Sequence, residues 1–249
     1  MKICHVVFSS NRLEYLIKTL NSLKKLNYSN IKVDRFLIDD YPKDRCDEIF
    51  KKIADKYKIR NLILNKENLG ITKNWHQFFE RIKDMDYDYI LHQEDDVELL
   101  EDLSIELLIK ILERNKNLRQ VQLKRNNWYK HEIEEIKAKN DDIVFDDYRY
   151  ELSNKYFWSM FSLYPFWICK EPVLETTGDY PSEASISNYL NKKYNLYTAL
   201  LKNKSGAPMI EHFGEYFQGK RASETESYYK FFSNTDPNKK YCSKTGIIL

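Results

Sequence analysis

The sequence predicts an α/β fold, a mostly parallel central sheet flanked by helices on both faces. Three observations predict it. Apolar strands alternate with amphipathic helices through the first half of the chain. Those strands are near-continuous apolar runs, as in strands covered on both faces. Polar and acidic clusters recur at the carboxyl ends of the strands, where open α/β sheets bind ligands.

Ile3 to Ser9 is apolar and rich in β-branched and aromatic residues, so it opens the sheet. It is read as a strand and not as a signal peptide, because the apolar run is short and no small-residue cleavage pattern follows. Leu13, Leu16, Ile17, Leu20 and Leu23 then repeat at helical spacing. Val33 to Ile38 is a second strand ending in Asp39-Asp40, and Cys46, Ile49, Phe50, Ile53 and Tyr57 mark a second helical face. Asn61 to Leu64 is a short strand, and Trp75, Phe78, Phe79 and Ile82 define a third helix. Tyr87 to His92 is a strand running into Glu94-Asp95-Asp96, followed by a helix over Leu103 to Leu112 and a strand over Gln120 to Leu123. The second half is less regular. Residues 125 to 155 read as a polar loop or helical insertion, Tyr156 to Cys169 as an aromatic strand region, Ser185 to Lys193 as helical, and Met209 to Phe213 as a last strand.

The 249 residues carry 40 Lys+Arg against 38 Asp+Glu, which argues against a general nucleic-acid binder. No stretch approaches the ~20 apolar residues of a membrane span. The expected location is therefore cytoplasmic, with peripheral recruitment to a membrane left open. Cys4, Cys46, Cys169 and Cys242 are far apart and show no zinc or disulfide pattern.

The acidic run Glu94-Asp95-Asp96 has two readings. Glu94 and Asp96 lie two apart on an extended segment and face one side, where they can hold a hard cation such as Mg²⁺ or Mn²⁺. Alternatively the run is a solvated turn starting a helix at Leu99. Ser9-Ser10-Asn11-Arg12 either offers backbone N–H groups and a guanidinium to a phosphate or base, or caps the next helix. Asp39 and Asp40 can accept from a base N–H or a ribose hydroxyl, or cap the helix near Asp44. In Asn65 to Asn74, Gly70 permits a close backbone approach. His212 is a metal ligand or an ordinary structural histidine, and the nearby Lys220-Arg221 can meet a diphosphate. Asp179 and Glu183 can each serve as general base on a hydroxyl, or cap the next helix.

Taken in order, these segments resemble the GT-A glycosyltransferases, and especially their family 2-like group, over roughly residues 1 to 221. HVVFSSNRLEYLIKTLNSL resembles the opening strand and helix with its Ser-x-Asn-Arg turn. FLIDDYPKD resembles the apolar-Asp-Asp segment, NKENLGITKNWHQFF the Asn-x-Gly segment, and DYILHQEDDVEL the strand ending in the DxD metal motif. PFWICKEPVLETTGDYPSE resembles the acceptor-side strand and catalytic carboxylate region, and IEHFG the late strand carrying a His.

The resemblance implies a GT-A, Rossmann-like fold and a sugar transfer from a nucleotide-sugar donor to an acceptor hydroxyl. It implies Mn²⁺ or Mg²⁺ held by Asp96, Glu94 and His212. The implied donor contacts are Ser9, Asn11, Arg12, Asp39, Asp40, Asn68, Gly70, Asn74 and Asp95, with Lys220 and Arg221 on the diphosphate. A UDP-sugar is favoured, since the Asp pair suits an imide N–H, with guanosine and thymidine left open. Glu183, with Asp179 beside it, matches the general base of inverting members, with retention of configuration left open. Trp158, Tyr164, Trp167 and Tyr180 are candidate acceptor platforms, although core packing accounts equally for such aromatics. Residues 1–221 are expected as one domain, 1–97 being the donor half and 98–221 the acceptor half, with 222–249 a tail.

The sequence departs from the family pattern at Tyr41-Pro42-Lys43, where small polar residues are usual, and in Glu-Asp-Asp for Asp-x-Asp. Competing classes are a non-catalytic relative that binds a nucleotide or glycan, a sugar nucleotidyltransferase, and a receiver-like signalling domain. The nucleotidyltransferase class opens with a Gly-rich loop, and this chain has no Gly before Gly70. The receiver-like class is about half this length.

Overall fold

The computed structural model describes residues 1–114, 116–126, 143–145, 148–153, 166–170 and 197–213. Strand β1 (Lys2–Ser9) leads into α1 (Leu13–Ser22), and β2 (Leu26–Asn27) and β3 (Lys32–Asp39) follow. Next come α2 (Asp47–Lys56), β4 (Asn61–Leu64), α3 (Ile71–Ile82) and β5 (Tyr89–Glu94). Two short strands, β6 (Val97–Leu99) and β7 (Leu103–Ser104), precede α4 (Ile105–Arg114) and β8 (Leu118–Leu123). The remaining strands are β9 (Ile143–Phe145), β10 (Tyr148–Ser153), β11 (Phe166–Lys170), β12 (Tyr197–Asn203) and β13 (Ile210–His212).

Nine strands form one sheet in the order β4-β3-β1-β5-β11-β8-β12-β10-β9. The β4, β3, β1 and β5 ladders are parallel, as the alternating pattern predicts. Strand β11 runs antiparallel between β5 and β8, β12 lies parallel to β8, and β10 and β9 close the edge antiparallel. In β1, seven consecutive residues from Ile3 to Ser9 are buried, so both faces of the sheet centre are covered. α1 packs on β6, α2 on β4, and α4 on β8 and β11. One apolar core runs through these layers, with Trp75, Phe50 and Phe78 its largest fully buried side chains.

Two expectations change. Residues 143–145 and 148–153, expected as loop or helix, are strands. Tyr148, Tyr150 and Leu152 alternate with Arg149 and Glu151, a period of two that the polar composition obscures, and Tyr150 is buried while Arg149 is exposed. The acidic run does not start a helix at Leu99, because Val97–Leu99 forms a strand that pairs antiparallel with β13. The helix begins six residues later, at Ile105.

Cys4, Cys46 and Cys169 are buried free thiols. Among the described residues no helix is long and apolar enough to cross a membrane.

Candidate nucleotide and metal site

The carboxyl ends of β1, β3, β4 and β5 converge because those strands run parallel and in register: Ser9 lies opposite Asp39, and Phe8 opposite Glu94. The cleft above them has a volume of about 190 Å³. Ser9, Arg12, Asp40 and Glu94 line it together with Asn68, Gly70, Asn74 and Asp95. All eight were expected from the sequence, and Phe8 and Ser10 join them.

Asp40 organises one wall. Its carboxylate accepts from Asn65 Nδ2 at 2.8 Å, the Leu69 N–H at 3.1 Å and the Gly70 N–H at 2.8 Å. The Gly70 N–H also reaches Asn68 Oδ1 at 3.0 Å, and Asn65 Nδ2 donates to Asn74 Oδ1 at 3.0 Å. Gly70 has φ 71° and ψ 162°, a region essentially closed to other residues. A glycine here thus turns the loop into α3 while its N–H meets Asp40.

Asp39 lies behind that wall, fully buried. It accepts from the Asn11 N–H at 2.6 Å, the Tyr41 N–H at 3.1 Å and Arg45 Nη1 at 3.1 Å. Burial pushes its carboxyl up to about 7, against the pull of the Asn11 N–H and Arg45. Asn11 is itself at φ 56°. In this arrangement the backbone N–H groups of the β1–α1 turn are taken by carboxylates, the Asn11 N–H by Asp39 and the Ser10 N–H by Asp95 Oδ2 at 3.1 Å. Neither Ser10 nor Asn11 caps α1, whose N-cap is Arg12, and α2 is preceded by Cys46 and not by an Asp cap.

Arg12 spans the acidic run. Its guanidinium hydrogen-bonds Asp95 and places Nη1 2.8 Å from Asp96 Oδ2. Burial raises the Asp95 carboxyl even with Arg12 against it, whereas for Asp96 burial is outweighed by Arg12 and His212, which hold it below the usual carboxylate range. Two hydroxyls on the buried face of α1 fix the backbone here: Thr19 Oγ1 donates to Asp95 O at 2.8 Å and accepts from the Val97 N–H at 3.1 Å, and Ser22 Oγ accepts from the Leu99 N–H at 3.2 Å. The sequence signal for them is present, since Thr19 and Ser22 interrupt an otherwise apolar helix face.

His212 reaches this centre from the far end of the chain. Pairing of β13 with β6 sets His212 opposite Val97, and the Phe213 N–H donates to Asp96 O at 3.0 Å. Ligand atoms of Glu94, Asp96 and His212 all lie within 4.8 Å of one another. Asp96 Oδ1 is buried without a hydrogen-bond donor meeting it in good geometry, with His212 Nε2 3.4 Å away. Two carboxylates and an imidazole, with one carboxylate oxygen left over, fit a divalent cation. On its other side, His212 Nδ1 faces Arg125 Nη1 at 3.2 Å. Arg125 was not anticipated, and no local pattern marks it: it enters through the bridge between residues 125 and 210.

Of the other sequence candidates, Trp167 lies on β11 opposite His92 and Gln122. Trp158, Tyr164, Asp179, Tyr180, Glu183, Lys220 and Arg221 fall outside the described residues.

Comparison with known proteins agrees with this architecture. No curated protein matches the chain in sequence. Among solved structures, S. aureus TarS is 17% identical with a TM-score of 0.55, over 85% of this chain and 36% of that one. S. aureus TarS 1-349 in complex with UDP-GlcNAc is 16% identical with a TM-score of 0.53, over 93% of this chain and 64% of that one. TarS 1-349 in complex with UDP gives 15% and 0.53, over 85% and 60%. This chain thus spans less than two thirds of the length of each, and the likeness is one of fold. The model of the family described as "Glycosyl transferase family 2" matches residues 4–182, from the first strand past the acidic run, and the chain therefore belongs to glycosyl transferase family 2.

Proposed function

We propose that this chain transfers a sugar from a nucleoside-diphosphate sugar, by preference a UDP-sugar, to an acceptor hydroxyl in glycan synthesis, with Mn²⁺ or Mg²⁺ and inversion at the anomeric carbon. The observation that carries this reading is the meeting of Glu94, Asp96 and His212 beside the cleft lined by Ser9, Arg12, Asp40, Asn68, Gly70 and Asn74. Family membership and the UDP and UDP-GlcNAc complexes of TarS support the donor class.

In this reading the nucleoside lies in the cleft against Asp40 and the Asn68–Gly70 turn, with the diphosphate toward Glu94 and Asp96. A divalent cation there supplies positive charge to the diphosphate and makes the nucleoside diphosphate a better leaving group. Arg12, and Lys220 and Arg221 from later in the chain, add fixed positive charge where negative charge develops. Glu183, with Asp179 as the second candidate, takes the proton from the acceptor hydroxyl. That oxygen attacks the anomeric carbon as the bond to the diphosphate oxygen breaks, which inverts the configuration. Trp158, Tyr164, Trp167 and Tyr180 offer apolar faces to the acceptor sugar.

A second reading, a catalytically silent relative that binds nucleotide or glycan, is favoured by the engagement of Arg12 with both Asp95 and Asp96. A thermal-shift panel of nucleoside diphosphates and their sugars, with and without Mn²⁺, tests the donor site, since a ligand bound only to the native state raises the unfolding temperature. The expected result is an Mn²⁺-dependent rise with UDP or a UDP-sugar. No rise with any nucleotide overturns the proposal. A rise without release of nucleoside diphosphate in the presence of any hydroxyl acceptor selects the second reading.

A further inference from the structure

Two side chains of the cleft are tied to each other through a third. Asn65 donates from one nitrogen, Nδ2, to Asp40 Oδ1 at 2.8 Å and to Asn74 Oδ1 at 3.0 Å. An amide NH₂ has two hydrogens, so both are spent. The two amide orientations follow from chemistry. The Asn65 atom that meets a carboxylate oxygen must be the donor, hence the nitrogen. The Asn74 atom that meets this nitrogen must then be the oxygen, which leaves the Asn74 NH₂ turned away. The backbone holds both residues in place: the Asn65 N–H donates to Asp39 O at 3.0 Å, and the Asn74 N–H to Gly70 O at 3.0 Å.

Asn74 is buried and lines the cleft, and among the described residues its Nδ2 meets no acceptor. Asp40 has the opposite capacity to spare. Its Oδ1 accepts twice, from Asn65 Nδ2 and the Leu69 N–H, and its Oδ2 once, from the Gly70 N–H. A carboxylate oxygen offers two lone pairs, so one remains on Oδ2. The cleft thus holds a spare acceptor on Asp40 and a spare donor on Asn74, both tied to the same Asn65 nitrogen. A base that carries a ring N–H beside a carbonyl matches this pair, as uracil does with N3–H and O4. Cytosine and adenine reverse both groups, setting a ring lone pair beside an amino group. Against Asp40 and Asn74 they bring lone pair to lone pair and N–H to N–H.

We propose that Asn65 is a positioning residue that sets base selectivity: by holding Asp40 and fixing the Asn74 amide with its NH₂ free for the cleft, it selects nucleoside diphosphates whose base carries a ring N–H beside a carbonyl, and rejects those of cytosine and adenine. This deepens the reading of the cleft as a donor site and rests on it. Thymine and guanine share the uracil edge, so the selection is of a class of base. Without Asn65, the Asn74 amide is free to turn over and present its oxygen, and the distinction is lost.

The test is calorimetric titration of UDP and of CDP into the full chain with Mn²⁺ present. The wild type is expected to bind UDP at least about tenfold more tightly than CDP, the scale set by leaving buried hydrogen-bonding groups unmatched. Asn65→Leu, close to Asn in size, is expected to bring the two affinities within about threefold of each other, chiefly by weakening UDP. Asn65→Ala is expected to do the same and covers a folding defect in the first variant. A residue that only supported the loop would weaken both nucleotides equally, and an unchanged ratio in these variants overturns the proposal. Asn74→Leu is expected to lower the ratio as far, and adding Asn65→Leu to it to lower it no further. A further drop in the double variant overturns the route through Asn74. Equal UDP and CDP affinity in the wild type overturns the selectivity and leaves the donor site standing. Failure of the wild type to bind any nucleoside diphosphate overturns the donor-site reading itself.

Discussion

The parallel half of the sheet and the mixed half contribute to the site in different ways. In β4-β3-β1-β5 each strand delivers its polar cluster at its own carboxyl end, so Ser9, Asp39 and Glu94 arrive side by side by register alone. In the mixed half, strands adjacent in space are distant in sequence, as where β12 lies against β8, and outside the nine-stranded sheet β13 reaches back to pair with β6. The first half makes a site by repeating one local rule, and the second completes it by long-range pairing. The candidate metal centre sits where the two meet.

The largest effect expected tests the second half. Glu183→Gln removes the proposed base and is expected to lower turnover by about 10²–10⁴-fold while leaving donor affinity unchanged. Unchanged turnover, with Asp179→Asn inactive, transfers the role to Asp179. In the first half, Arg12→Ala leaves Asp95, whose side chain is only 1% exposed, without its cation. The expected loss is about 3–5 kcal/mol in urea unfolding, the scale for breaking a buried pair by removing one partner. A loss under about 1 kcal/mol would mean that the pair behaves as an exposed one.

Gly70→Ala sharpens the same contrast at one turn. Nothing lies within 4 Å of an added Cβ, so any cost arises from the backbone angles and not from crowding. A loss of about 1–3 kcal/mol is expected, with weaker nucleotide binding as the Asp40 contact shifts. The smallest effect is a pH slope. His5 is buried and lowered to about 3, and burial likewise depresses His92. Below about pH 6.5 the unfolded chain takes up protons that these rings refuse, so stability falls as pH drops. His92→Phe is expected to reduce that slope relative to wild type, by up to about 1.4 kcal/mol per pH unit, as pH falls below about 6.5. Asp39, raised to about 7, acts in the opposite direction in both proteins and cancels in the comparison.

The same contrast explains what the sequence revealed. Strands β1, β3, β4 and β5 and helices α1 to α3 lie where apolar period and length put them, and eight of the ten residues lining the cleft were identifiable from strand ends. Glu94, Asp96 and His212 were expected together through family resemblance, and they do meet. Strand β10 was missed because alternating Tyr and charged residues average to a polar segment. Arg125 was missed for a different reason: its meaning depends on a bridge to residue 210, and no window of local sequence contains both. The engagement of Arg12 with Asp95 and Asp96 was likewise invisible, since residues 83 and 84 positions apart meet only once β1 and β5 pair.

The account turns on Asp96, where the parallel half meets β13. The most direct measurement is calorimetric titration of UDP into the folded protein with Mn²⁺ present, for wild type and for Asp96→Asn. The account predicts binding that requires Mn²⁺ in the wild type and weakens more than ~100-fold in Asp96→Asn, at least as large as an outer-shell loss. Equal UDP affinity in the two proteins, with and without Mn²⁺, would contradict it.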